Sequence, residues 1–174
     1  LLALTVSVWT KQTFGMFASF IVVLTIYGFP LLFSESHFNV KDPPMAAFFT
    51  VALYFFWLGI VKKKPLYILF SALAGGASFA TKLNFVFAPF MLFPWIAIYS
   101  LKTKFGFLSK KMVLMFLFYP IIVLSIFFLT WPALWPDPVG KFLQVINYYQ
   151  DIGGSGCKYF YLTRGWFTEC TDIT

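Results

Sequence analysis

Between two apolar runs the chain reads Ser34-Glu35-Ser36-His37-Phe38-Asn39-Val40-Lys41-Asp42-Pro43-Pro44, its densest cluster of ionisable groups beside a hydrophobic stretch. Asp42 stands where this polar segment turns into the next apolar run. Ionisable groups at the edge of a hydrocarbon layer are costly to desolvate and mark functional sites. Metal ligation is not expected of them: His37 with Glu35 and Asp42 has no recognised ligand spacing, and the chain has no Cys-x-x-Cys or His pair. Nor is nucleotide hydrolysis supported, for there is no glycine-rich phosphate loop, no Walker motif and no serine nucleophile elbow. Asp42 also has a purely structural reading, as a helix N-cap ahead of Pro43.

The elements that position this cluster follow from composition. The 174 residues are 60% hydrophobic, 23% aromatic and 11% charged, against roughly 25% charged in soluble domains. Apolar stretches approaching the ~20 residues of a bilayer crossing recur between short lysine-bearing breaks. The expected fold class is therefore all-α, a polytopic transmembrane helical bundle. A net charge of +7 points to nucleic acid in a soluble protein. Here the lysines fall in the breaks between spans, where they set orientation, and the expected partner is the bilayer.

Along the chain, Leu1 to about Trp9 reads as the tail of a helix, and about Phe14 to Phe33 as the next span. The polar segment follows as a loop, then a span from Pro43 to Val61. Lys62-Lys63-Lys64-Pro65 is an abrupt stop, with proline suited to the first turn of a helix reaching about Ala80. Thr81-Lys82-Leu83-Asn84 is a polar break. Phe85 to Ser100 is a span that Pro89 and Pro94 are expected to kink. Lys102 to Lys111 is a basic loop, and Met112 to about Trp131 the last crossing. Ala72, Gly76 and Ala80 form a small-residue stripe that reads as close helix packing.

About five full crossings partition the charges. Lys11, Lys62, Lys63, Lys64, Lys102, Lys104, Lys110 and Lys111 share one side without an acidic residue, and the positive-inside rule makes that side cytoplasmic. The other side holds Lys41, Lys82, Lys141, Lys158, Arg164, His37 and all the carboxylates: Glu35, Asp42, Asp137, Asp151, Glu169 and Asp172. The expected location is the plasma membrane, multi-pass, with the Asp42 loop and the C-terminal segment on the outer face.

The chain divides into a transmembrane region, 1–131, and an outer-face segment, 132–174. Trp131-Pro132-Ala133-Leu134-Trp135-Pro136-Asp137-Pro138 combines interfacial tryptophans with too many prolines for a helix. Asp137 then caps a new helix with Pro138 at its first position. Val139, Phe142, Leu143, Ile146 and Tyr149 recur at helical spacing among Lys141, Gln144, Asn147 and Asp151, an amphipathic helix lying on the outer surface. Gly153-Gly154-Ser155-Gly156 ends it in a flexible loop. Cys157 and Cys170 are either a disulfide closing the segment or unpaired thiols. The opening Leu-Leu-Ala-Leu and the closing Thr-Asp-Ile-Thr read as a fragment of something larger.

Phe29-Pro30, Ser36-His37-Phe38-Asn39-Val40-Lys41-Asp42-Pro43-Pro44-Met45 and Ala77-Ser78-Phe79-Ala80-Thr81-Lys82 resemble the family 39-type branch of the GT-C membrane glycosyltransferases. That group includes the protein O-mannosyltransferases and the aminoarabinose transferases of lipid A. Trp131-Pro132-Ala133-Leu134-Trp135 with its following helix is similar to the long outer loop of that family. The resemblance covers about residues 14 to 150. It implies an integral-membrane enzyme that transfers a sugar from a polyprenyl-phosphate-linked donor to an acceptor protein, lipid or glycan on the outer face, with inversion. A carboxylate takes the acceptor's proton and cations steady the leaving phosphate; no nucleotide is needed. The family's principal base lies in a first outer loop that this fragment lacks.

On that resemblance Asp42 matches the second acidic position of the outer loops and is the catalytic candidate, for acceptor or carrier positioning or for a share of the base role. Lys82 matches the Thr-Lys position and is either a phosphate contact or a snorkelling interfacial lysine. His37, Lys41, Glu35 and Arg164 are further phosphate or acceptor candidates. Their plainer readings are a solvated histidine, a headgroup counter-charge, a hydrated helix end and a segment that does not align. The rival functions are a transporter or lipid flippase and a non-catalytic membrane scaffold. A transporter calls for ionisable groups near mid-membrane, whereas these cluster at span ends.

Overall fold

The computed structural model describes residues 1–104, 106, 108–154, 158–162 and 165–169. They form two units, Leu1–Thr130 and Trp131–Thr174.

The first unit is all-helical: α1 (Leu2–Phe14), α2 (Met16–Gly28), α3 (Pro30–Phe38), α4 (Asp42–Lys62), α5 (Pro65–Thr81), α6 (Ala88–Thr103) and α7 (Lys110–Thr130). A 3-10 turn, Leu83–Phe87, precedes α6. Three spans of 21 residues are long and apolar enough to cross a bilayer: α4, Leu83–Thr103 and α7. The pair α2 and α3, bent by 59°, is either a fourth, broken span or a re-entrant loop. The fifth expected crossing, α5, has 17 residues, or about 26 Å at 1.5 Å per residue, short of the ~30 Å hydrocarbon layer unless neighbours thin it. Large apolar side chains face outward throughout, Phe14 and Phe17 at 78% exposure and Phe90 at 74%. A surface of that kind is unstable in water and suits lipid.

Two sequence expectations are corrected by backbone chemistry. The chain does not pause at Trp9: α1 continues to Phe14 and reverses at Gly15, whose φ of 93° is open to glycine at little cost. Ser7 and Ser19 hydroxyls then tie α1 to α2 at 2.8 Å. The polar segment is a loop only at residues 39–41. Pro30 lacks an N–H and restricts Phe29 to extended backbone, which ends α2; the same proline then starts α3, which carries the polar residues to Phe38. Pro89 likewise lies in the first turn of α6, where a missing N–H costs nothing, and only Pro94 lies inside that helix.

Lys63, in the left-handed conformation at φ 54°, closes α4, and Pro65 opens α5. The two helices pack antiparallel, tied by Ser71 Oγ to the Ala52 carbonyl at 2.7 Å and Ser78 Oγ to the Met45 carbonyl at 3.2 Å. α5 and α7 run parallel. Ser71 meets the Tyr119 hydroxyl at 3.1 Å, Gly76 faces Ile126, and the Phe79 and Phe127 rings lie 4.7 Å apart. The core is two clusters, one around Ala52, Ala72, Phe85 and Val123 and one of Phe56, Ile60, Ile68 and Met112.

In the second unit a 3-10 turn, Pro132–Leu134, leads to α8 (Pro138–Gly154). Asp137 caps α8, its Oδ1 accepting the Gly140 N–H at 3.0 Å. Glycine suits position 140 because a Cβ there would run into the Asp137 carboxylate. The helix continues through Gly153 and Gly154, where the sequence suggests a loop. Beyond it lies an unexpected antiparallel ribbon, β1 (Lys158–Leu162) and β2 (Gly165–Glu169), pairing Lys158 with Glu169 and Leu162 with Gly165. Cys157, Arg164 and Cys170 lie outside the described residues, as do the side chains of Tyr149 and Asp151.

Candidate functional site

The site begins with α3. Its single helical stretch sets Phe33 against His37 and Glu35 against Asn39, each pair four residues apart and hence neighbours on one face. The His37 ring lies 4.5 Å from the Phe33 ring, with Nδ1 2.7 Å from the Phe33 carbonyl. A carbonyl oxygen can only accept, so in this bond Nδ1 is the donor.

Asn39 then organises the passage into α4. Its Oδ1 accepts the backbone N–H groups of Lys41 and Asp42, both at 3.0 Å, as an Asx turn. The same amide's Nδ2 donates to Glu35 Oε2 at 2.9 Å and to Asp42 Oδ2 at 2.8 Å. One side chain therefore closes the turn and bridges two carboxylates. Asp42 is not the N-cap: it is the first residue of α4, Lys41 precedes it as cap, and no side chain of that pair makes a capping bond. The carboxylate is free of cap duty because Asn39 has taken it, and an anion in the first helical turn also suits the dipole.

Lys82 reaches Asp42 from the far end of α5. Its Nζ donates to Asp42 Oδ1 at 2.6 Å, the ion pair found among the described residues. The antiparallel packing of α4 and α5 brings together residues 40 apart in sequence, and the extended backbone of Lys82 after Thr81 releases its side chain from the helix. Both oxygens of Asp42 thus meet donors, in the order Glu35, Asn39, Asp42, Lys82. The lysine and aspartate side chains remain 36% and 43% exposed, open to a ligand.

Beside this chain of polar groups is a cavity of about 660 Å³ between the starts of α1 and α4 and the α2–α3 bend, within the size range of small-molecule sites. Glu35, His37, Asn39 and Asp42 line it on one part, and residues such as Leu2, Ile26, Leu31 and Ala46 on the rest. Its wall is mostly apolar with a few convergent polar groups, a form suited to an amphiphile. Lys82 is tied to it through Asp42 and does not itself line it; Lys41 is exposed and stands apart. Among the described residues no three His, Cys, Asp or Glu side chains gather to hold a metal ion.

Asn39 is the member that reading for charge misses, since it is neutral. Its sequence signal is an Asn three residues before an Asp-Pro helix start, a turn-forming placement. Asn39→Asp is expected to keep the two backbone bonds but replace the bridging donor with a third carboxylate. It should therefore depress function of the full-length protein more than Asn39→Ala, while Asn39→Ala lowers the thermal midpoint more, by the ~1 kcal/mol of a lost cap. Assay and thermal unfolding in detergent, run on both variants, check the crossing order.

No family model, curated protein or solved structure matches this chain.

Proposed function

We propose that the chain belongs to an integral-membrane glycosyltransferase of the GT-C type, which moves a sugar from a polyprenyl-phosphate-linked donor to an acceptor hydroxyl. The observation that carries this reading is the polar chain Glu35, Asn39, Asp42, Lys82 set against a largely apolar cavity. A lipid-linked sugar phosphate has the matching division: an apolar tail for the cavity wall, hydroxyls for the carboxylates and a phosphate for the ammonium.

In the reaction the acceptor oxygen bonds to the anomeric carbon as the bond from that carbon to the phosphate oxygen breaks. The acceptor's proton passes to a carboxylate, and polyprenyl phosphate leaves as the anion. With both its oxygens held by donors, Asp42 acts as a positioning group for acceptor or carrier, and Lys82 balances charge as the phosphate departs. Glu35, and His37 Nε2 when the ring is neutral, remain as acceptors for substrate hydroxyls. The positive-inside rule puts this end of the bundle on the outer face of a cell membrane.

One feature favours the rival reading of a transporter or flippase, the 59° bend between α2 and α3 beside polar groups. Full-length protein in vesicles, given a polyprenyl-phosphate donor with labelled sugar, separates the two. A transferase produces labelled acceptor and free polyprenyl phosphate, whereas a flippase moves the intact donor across the bilayer. Movement without cleavage of the glycosyl bond would overturn the proposal.

A further inference from the structure

The geometry points to a binding surface for anionic phospholipid headgroups at the opposite end of the unit Leu1–Thr130. Two basic turns build it, Lys62–Lys64 between α4 and α5 and the turn between α6 and α7 bearing Lys102, Lys104, Lys110 and Lys111. They adjoin, since Lys63 Nζ lies 3.9 Å from the position a Cβ on Gly106 would take. All seven lysines are exposed. No Asp or Glu occurs between Asp42 and Asp137, and the unit's two carboxylates, Glu35 and Asp42, belong to the Asn39 and Lys82 network at the other end. The patch therefore has no carboxylate at its own end of the unit; the one on α4, Asp42, and the one on α3, Glu35, lie at the other.

The backbone offsets part of this charge where α4 and α6 end, at Lys62 and Lys102, and adds to it where α7 begins. Lys110 and Lys111 occupy the first turn of α7, which lacks any acidic residue, although the positive end of the helix dipole disfavours cations there. α5 runs parallel to α7, so its positive end lies alongside. Lys63 and Lys104 both take the left-handed backbone that glycine fills at lower cost. An anion supplied from outside the chain offsets the charge at the starts of α5 and α7.

Aromatic side chains locate that anion. Trp9, Trp57, Tyr67, Trp95 and Tyr99, each half-buried, sit within about two turns of the lysines. Trp9 packs on Trp57 at 5.7 Å and Trp95 on Tyr99 at 5.5 Å. Such rings settle at the level of the membrane interface, which puts the ammonium groups at headgroup depth, where the phosphate of an anionic lipid is the available partner. The inference is independent of the sugar-transfer reading.

The test is lipid retention by the full-length protein, extracted by mild detergent from vesicles of equal parts phosphatidylglycerol and phosphatidylcholine, with retained lipid counted by native mass spectrometry. Wild type is expected to be enriched in phosphatidylglycerol by about tenfold. The variant K63Q/K104Q/K110Q/K111Q should lose the enrichment, while Lys62, Lys64 and Lys102 preserve the charge bias that orients the spans. The corresponding four arginine substitutions should keep it. Equal retention of the two lipids by wild type, or undiminished enrichment in the glutamine variant, would overturn the proposal. So would complete displacement by soluble glycerol phosphate, which would make the patch a site for a free phosphate. Should the glutamine variant fail to insert, wild type and the arginine variant decide the matter by themselves.

Discussion

Asp42→Asn in the full-length protein is expected to lower sugar transfer by about 100-fold or more, the scale set by removing one group that holds charge in a reaction site, with membrane insertion and thermal midpoint nearly unchanged. The separation of the two effects follows from exposure. A pair with side chains 36% and 43% exposed is worth about 0–1 kcal/mol to folding, too little to mimic a 100-fold loss through unfolding. The asparagine keeps the volume, but its one carbonyl oxygen accepts from only one of Lys82 and Asn39 and its NH2 meets the other donor, so one hydrogen bond is lost with the negative charge. The exchange Asp42→Lys with Lys82→Asp sharpens the test. It restores an ion pair between α4 and α5 but puts the cation on the cavity wall, where only Asp42 of the two stands. A structural role for the pair predicts recovery in the exchanged protein; a role in the reaction predicts none. Wild-type turnover in Asp42→Asn, or full recovery in the exchange, would sink the assignment of Asp42.

How far the sequence discloses this arrangement depends on the range of the interactions. The ends of α4 and α5 are legible because Lys62-Lys63-Lys64-Pro65 combines an interfacial charge run with a residue that starts helices. The Asp137 cap is equally local. The break at Phe29 and Pro30 is harder, because hydropathy continues to Phe33 and only the proline interrupts the backbone. After it, α3 is nine residues long, too short for periodicity to separate it from a polar loop. The ribbon of residues 158–169 hides for a related reason: its aromatic runs have the composition of a strand, but a chain dominated by phenylalanine and tyrosine everywhere dilutes that signal.

The candidate site was legible by residue type and not by connection. The charge of the polar segment singles out Glu35, His37, Lys41 and Asp42, and the family resemblance adds Lys82; the structure brings Glu35, His37 and Asp42 to one cavity, with Lys82 bonded to it through Asp42 and Lys41 apart. That Asp42 joins Lys82 requires the antiparallel pairing of α4 and α5, a contact across 40 residues. That Glu35 and Asp42 share one amide requires α3 to be helical up to Asn39. Capping, the local function first ascribed to Asp42, moved to Asn39, which left the carboxylate available for the cavity.

Gly76→Ala is expected to lower the thermal midpoint of the protein in detergent, although the same change in an open helix stabilises by up to ~1 kcal/mol. A Cβ on Gly76 would stand 2.7 Å from the Ile126 Cβ and 3.0 Å from both its Cδ1 and Cγ2. The nearest atom is the branch point of a side chain that is stiff at χ1, fixed to the α7 backbone, so rotation cannot relieve the contact and the helices must separate. Overpacking of this kind costs about 1–3 kcal/mol. The loss spreads because α5 is the shared wall of the core: Ser71 to Tyr119 and Phe79 to Phe127 cross the same seam, and Lys82 hangs from its end. Gly28→Ala is the matching control, since a Cβ there meets nothing within 4 Å, and it should be neutral or mildly stabilising. Equal midpoints for Gly76→Ala and Gly28→Ala would mean that α5 and α7 do not pack through Gly76, and that the stripe of small residues on α5 serves another neighbour.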